Sequence, residues 1–154
     1  MAICIRRAKG EDAEAIGRIL YEVHAVHSAI RPDLFLPGRR KYDEAQVKEL
    51  IQRTPVLVAE DEGAVLGYAV CFLQETEGGS MAAHKTLYLD DLCVDETSRK
   101  QGVGHALFAA VEALAREQGC YDLTLNVWEG NDAARAFYDH LGMKPLKTYL
   151  EKVL

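Results

Sequence analysis

Asp90-Asp91-Leu92-Cys93-Val94-Asp95-Glu96-Thr97-Ser98-Arg99-Lys100-Gln101-Gly102-Val103-Gly104-His105-Ala106-Leu107 decides how the rest of this chain is read. It is an apolar strand, a basic glycine-containing turn and the start of a helix. The first N–H groups of a helix have no partner inside it and point outward at the positive end of its dipole. Gly102 and Gly104 carry no side chain, so a phosphate can come close to those groups, and Arg99 and Lys100 add positive charge. The arrangement suits a pyrophosphate. Two commoner phosphate motifs fail: the dinucleotide pattern needs a third glycine where Leu107 stands, and no Gly-Lys-Ser/Thr run is present. Alone, a Gly-x-Gly turn fits a tight turn as well as a phosphate site.

Outward from this stretch, the chain reads as mixed α/β with one central sheet. Residues 2–7 form a short strand, and Gly10-Glu11-Asp12 opens a helix whose Ile16, Ile19, Leu20, Val23 and Val26 give one buried face. Pro32 and Pro37 break the chain. Asp43 with Gln46 is a capping-box pattern that starts a second helix ending at Thr54-Pro55. Val56–Glu60 and Ala64–Gln74 are strands joined by the turn Asp61-Glu62-Gly63, and Thr86–Val94 is another. Val103–Gln118 is a helix with Gly119 as its C-terminal glycine. Leu123, Leu125 and Val127 alternate with polar residues in a further strand. Asn131 caps a short helix ending at Leu141-Gly142, and residues 146–153 are expected to form a last strand. No repeat or linker divides the sequence, so 1–154 reads as one domain.

Composition narrows the classes. With 154 residues, 49% apolar and 27% charged, the chain can close a core without staples. A net charge of −6 argues against non-specific nucleic-acid binding and mildly for cationic partners. Cys4, Cys71, Cys93 and Cys120 match no zinc spacing and read mostly as buried free thiols in a reducing compartment. No stretch reaches the length of a membrane span, and charge arrives at Arg6-Arg7 where a signal peptide needs its apolar run. These features imply a cytoplasmic protein with no membrane partner and no metal site, since no third ligand is spaced to join His24 and His27.

Arg99-x-x-Gly102-x-Gly104 after an apolar strand resembles the phosphate-binding motif of the GNAT N-acetyltransferase superfamily. The strand ending Asn126-Val127-Trp128 and the run Asn131-Asp132-Ala133-Ala134-Arg135-Ala136-Phe137-Tyr138-Asp139-His140-Leu141-Gly142 look like that family's next motif, and Ile5-Arg6-Arg7-Ala8 like its usual start. The resemblance runs the length of the chain. It implies a mixed, mostly antiparallel central sheet flanked by helices, whose fourth and fifth strands splay to admit the pantetheine arm of acetyl-coenzyme A. Backbone groups of Leu92, Cys93 and Val94 would pair with that arm, and the Leu92 N–H would polarise the acetyl carbonyl. Arg99 and the backbone of Lys100, Gln101, Gly102, Val103, Gly104 and His105 would hold the pyrophosphate. Asn131 and Ala134 would border the arm from the other side, with Tyr138 near the sulfur.

The implied chemistry then selects residues. An alkyl ammonium, pKa near ~10.4, costs about 4.6 kcal/mol to neutralise at pH 7, so acetyl transfer to an amine needs a base or a water path. A phenol near ~10 stays protonated and can assist a thiolate whose thiol has a pKa near ~8.5, which fits Tyr138 as acid. The base is expected at Asp90, where the similar diamine acetyltransferases carry a glutamate; Asp91 is its rival, and either could bind an ammonium instead. His27 and Arg31, on a segment that often borders the acceptor in this family, and Asn126 are further candidates for substrate contact. Trp128 reads as a core residue. The expected function is acetyl transfer from acetyl-coenzyme A to a small cationic amine. A protein N-terminus or lysine as acceptor, a coenzyme A-binding module without turnover, and a nucleotide-binding module are the alternatives, and a homodimer is open.

Overall fold

In the computed structural model, which describes residues 2–154, five strands form one sheet in the order β1-β2-β3-β4-β5. They are β1 (Cys4–Arg7), β2 (Val56–Asp61), β3 (Ala64–Thr76), β4 (His84–Val94) and β5 (Asp122–Thr124). Every neighbouring pair is antiparallel except β4 and β5, which run parallel. The helices are α1 (Ala13–Ile30), α2 (Glu44–Arg53), α3 (Val103–Glu117) and α4 (Asp132–His140). Among the described residues no helix is long and apolar enough to cross a membrane.

Local chemistry sets these limits. Asp61 pairs with Ala64, and the two residues between them, Glu62 and Gly63, have φ of 49° and 83°. Two left-handed residues are what a two-residue hairpin turn requires to match strand twist. At the start of α2, Asp43 Oδ1 accepts from the Gln46 N–H at 2.8 Å while Gln46 Oε1 accepts from the Asp43 N–H at 2.9 Å, the expected reciprocal cap.

The sheet is buried on both faces. Val56 and Val58 of β2 face α1 and α2, meeting Ile16, Ile19, Leu20, Val47 and Leu50. The alternate residues Leu57 and Ala59 face α3, meeting Val103, Leu107 and Val111. Period-two alternation in one strand thus serves two cores, and each large aliphatic side chain so buried contributes about 1.5–3 kcal/mol.

Several expectations are corrected. Gly10–Asp12 is a 3₁₀ turn that precedes α1, and Cys4 is exposed on β1. The strand expected through Val127 ends at Thr124, and residues 146–153 form no strand. A strand exists only where a neighbour completes its ladder, and neither segment has one in this chain.

Candidate active site

β4 and β5 pair at three positions, Thr86↔Asp122, Leu87↔Leu123 and Tyr88↔Thr124, and then separate. β4 continues to Val94 paired only with β3, so its other edge faces a gap across from residues 125–128. The splay expected between the fourth and fifth strands is present. Asn126 donates from Nδ2 to the Tyr88 hydroxyl at 2.9 Å where the strands diverge. Along the gap, Leu92 and Val94 pack toward α3 while Cys93 is buried on the α1 side. Side chains therefore serve the two cores, and the main chain lines the opening.

At the end of β4 the chain turns sharply. Asp95 is buried, accepts from the Thr97 hydroxyl and pairs with Arg18 of α1; the hydroxyl first, then the guanidinium, lower its pKa. Glu22 of α1 also accepts from the Glu96 N–H, so α1 fixes the turn. Lys100 and Gly102 are left-handed, with φ of 64° and 85°, and Gly102 is the N-cap of α3. The first bond inside the helix runs from the Ala106 N–H to the Gly102 carbonyl, leaving the N–H groups before it pointing out of the turn.

The two glycines serve different ends. A Cβ on Gly102 would meet nothing within 4 Å, so its side is open and its requirement is conformational. A Cβ on Gly104 would sit 3.2 Å from the Phe137 ring. Gly104 is thus a packing position that lets α4 close on α3, with His105 edge-on to the same ring. Asn131 Oδ1 accepts from the Ala134 N–H at 3.3 Å and caps α4.

Asp90 and Asp91 sit on a bulge. Val70 pairs with Asp91 and Cys71 with Leu89, which leaves Asp90 as the extra residue of β4. Consecutive strand residues ordinarily face opposite sides, but here both carboxylates reach groups of the α1–α2 side. Asp90 Oδ2 accepts from Tyr42 at 2.8 Å and from Lys41 at 3.0 Å. Asp91 Oδ2 accepts from the buried Tyr68 hydroxyl at 2.7 Å. Desolvation raises the pKa of Asp91 above the usual carboxylate value, outweighing that hydrogen bond.

Tyr138 is half-buried, its ring 6.0 Å from Phe108 and 5.1 Å from Phe137. Burial, with Asp91 and Cys93 nearby, raises its pKa and keeps the phenol protonated. Burial also pushes the Cys93 thiol up to about 12. It is a packing residue, not a nucleophile.

Aromatic rings gather around the C-terminal half of α1. Phe35 lies 5.1 Å from both His27 and Trp128. Trp128 is 40% exposed and is not a core residue; the divergence of its segment from β4 turns the ring toward α1. Desolvation, then His24 and Lys41, lower the pKa of His27. Arg31 is engaged elsewhere, with Asp33 at 2.8 Å and Glu151 at 3.0 Å. The sequence reading missed Phe35, Lys41, Tyr42 and Tyr68; none has a motif spacing, and only the pairing of β3 with β4 in the fold sets Tyr68 opposite Cys93.

A mixed sheet that opens between its two parallel members onto a helix N-terminus is the architecture of an acetyltransferase. The sequence model described as Acetyltransferase (GNAT) family matches residues 20–143, and the chain belongs to that family. It is 30% identical over 139 residues to an uncharacterized N-acetyltransferase, YhfO, of Bacillus subtilis, covering 90% of this chain and 87% of the relative. It is 28% identical to the thialysine N-epsilon-acetyltransferase of Bos taurus, covering 94% and 85%. The crystal structure of a point mutant of the BH1408 protein from Bacillus halodurans superposes with a TM-score of 0.94 at 34% identity, over 98% of this chain and 99% of that one. The protein is an acetyltransferase.

Proposed function

We propose that the protein binds acetyl-coenzyme A in the gap between β4 and β5 and transfers the acetyl group to a small cationic primary amine. The observation that carries this reading is the loss of strand pairing beyond Tyr88↔Thr124 immediately before a turn held by left-handed Lys100 and Gly102. Such a gap offers main-chain donors and acceptors to an amide-bearing arm, and the turn offers helix N–H groups to a pyrophosphate. Leu92, Cys93 and Val94 would meet the arm through their backbones. Arg99, Lys100 and the N–H groups of Gln101, Gly102, Val103, Gly104 and His105 would hold the phosphates, with Asn131 and Ala134 opposite. The thioester supplies the activated acetyl group.

The carboxylates divide the work on the acceptor. Asp90 already binds one ammonium, that of Lys41, whose side chain is half-exposed and can yield its place to a substrate cation. Asp91, with its raised pKa and half-buried position, is the better matched proton acceptor. Tyr138 delivers its proton to the departing sulfur. Phe35, Trp128 and His27 form a wall for the organic part of a cationic amine, which rings of this kind favour. Four free cysteines fit a reducing, cytoplasmic setting.

The test is a panel of diamines, polyamines, aminoglycosides and amino-terminal peptides assayed for thiol release from acetyl-coenzyme A, with melting curves in parallel. A ligand at one hundred times its Kd adds about 2.7 kcal/mol by mass action. We expect a raised melting temperature and turnover with small cationic amines. No shift at millimolar acetyl-coenzyme A would remove the proposed site. A shift without turnover on any amine would leave a coenzyme A-binding module.

A further inference from the structure

The loop between α1 and α2, residues 31–43, contains no helix or strand, yet it is fastened at several points along α1. The Leu36 carbonyl meets His24 Nε2 at 2.6 Å, and the Phe35 carbonyl accepts from the Ser28 hydroxyl at 3.0 Å. Arg40 lies against the bare backbone of Gly17, with its guanidinium 4.8 Å from the centre of the Tyr21 ring. A Cβ at Gly17 would strike that guanidinium, so the glycine lets the loop lie this close to the helix. These ties deliver the next two residues, Lys41 and Tyr42, to β4. Both reach one atom, Asp90 Oδ2, with Lys41 Nζ at 3.0 Å and the Tyr42 hydroxyl at 2.8 Å.

A primary amine of this chain thus already occupies the carboxylate to which the proposed function assigns the substrate's ammonium. We propose that Lys41 is itself an acetyl acceptor, and that the enzyme acetylates it within its own chain when no other amine fills the site. The inference rests on the reading of the β4–β5 gap as the acetyl-coenzyme A site. Asp90 stands two residues before Leu92, whose backbone would meet the arm, a span of about 7 Å along a strand. Lysine's flexible four-carbon stem covers that distance by a change of rotamer.

The step balances without another reagent. One proton passes from the Lys41 ammonium to the carboxylate pair and on to water. The freed lone pair attacks the thioester carbonyl, a C–N bond forms, and the C–S bond breaks with its electrons on sulfur. The sulfur takes the Tyr138 proton, and the proton left on nitrogen restores the phenol. The products are a neutral acetamide and a thiol, so the ion pair with Asp90 is lost. Holding amine and thioester in one molecule replaces a collision, and one lysine can then outpace others that are equally exposed. Lys48 supplies the comparison: its side chain is 54% exposed against 48% for Lys41, but it pairs with Glu44, one turn away on α2. Lys85 pairs with Glu75, near the start of β4. Among the described residues Lys41 is the lysine paired with a carboxylate of the site.

The test follows acetyl groups on the full chain, incubated with acetyl-coenzyme A and no amine, then digested and read by mass spectrometry. Lys41 is expected to be acetylated at least about tenfold faster than Lys48, whose slow direct reaction with the thioester is the standard. Its first-order rate constant is expected to be the same at low and high protein concentration. Asp90→Ala removes the seat and is expected to bring Lys41 down to the Lys48 rate, while Lys41→Arg should leave only that slow background. Lys41 modified no faster than Lys48, a rate constant that climbs with protein concentration, or a preference that survives Asp90→Ala would each overturn the inference. The amine panel, run on the same samples, separates this from failure of the underlying reading. Turnover of small amines with Lys41 unmodified would remove self-acetylation and leave acetyl transfer standing; no acetyl on either, with no melting shift, would remove both.

Discussion

Tyr138 is the residue whose contribution separates most cleanly from the fold. Its ring packs on Phe108 and Phe137, and Tyr138→Phe keeps that packing, so the melting temperature is expected to hold. The substitution removes the proton that the proposed mechanism offers to sulfur. Positioned acids contribute about 10²–10⁴-fold, and because a thiolate leaves tolerably at neutral pH, kcat is expected to fall by the lower end of that range. Cofactor affinity measured by titration should stay near the wild-type value; full turnover would make Tyr138 structural only. The paired carboxylates give a second measurement. A base with a raised pKa works only after it loses its proton, so kcat/KM should climb with pH through a limb above the ordinary carboxylate range. Asp91→Asn is expected to erase that limb and lower kcat; Asp90→Asn should keep it and raise the amine's KM. The opposite pattern returns the base to Asp90, which the sequence favours from its resemblance to a glutamate position. Sequence could not choose between them, because a bulge that turns neighbouring side chains to one side leaves no mark in residue order.

At the scale of elements, α3 and its turn are the best test of the phosphate assignment. Gly102 has φ of 85°, where a branched side chain costs about 1–3 kcal/mol of strain, but no neighbouring atom obstructs one. Gly102→Val is expected to reshape the first turn and weaken acetyl-coenzyme A binding at least tenfold, with a small loss of melting temperature. Gly104→Val meets the Phe137 ring and should instead displace α4, lowering kcat through Tyr138 and stability through the packing. Calorimetry and melting curves on both variants distinguish a ligand-facing glycine from a packing glycine; equal effects on binding would mean the turn is misassigned. These two residues were indistinguishable in sequence, since the same Gly-x-Gly spacing hides one conformational need and one steric one. The capped helices and alternating strands were legible, because each carries its reason in its own residues. The last strand was not, because alternation signals only a willingness to pair.

Across the whole molecule, two cores built on one sheet hold the opening rigidly from both sides, and both depend on alternation that the sequence displays from Val56 to Ala59. The aromatic cluster proposed as the acceptor wall depends instead on chain segments that meet only in the fold: Phe35 follows α1, and Trp128 follows β5. The proposed acceptor side is accordingly the least legible part, while the strand, turn and helix proposed for the acetyl donor lie in one contiguous stretch of sequence. That division has a consequence for how this protein can change. The side chains of Leu92, Cys93 and Val94 point into the cores, and the edge that faces the gap is amide and carbonyl. A peptide group is the same whatever residue carries it, and proline alone deletes its donor. On the proposed site, mutation can therefore rewrite the rings and charges that would greet an amine while the groups along the gap pass unaltered from one sequence to the next. With the donor held there as proposed, selection acting on such a chain is free to explore new acceptors without first relearning how to hold it.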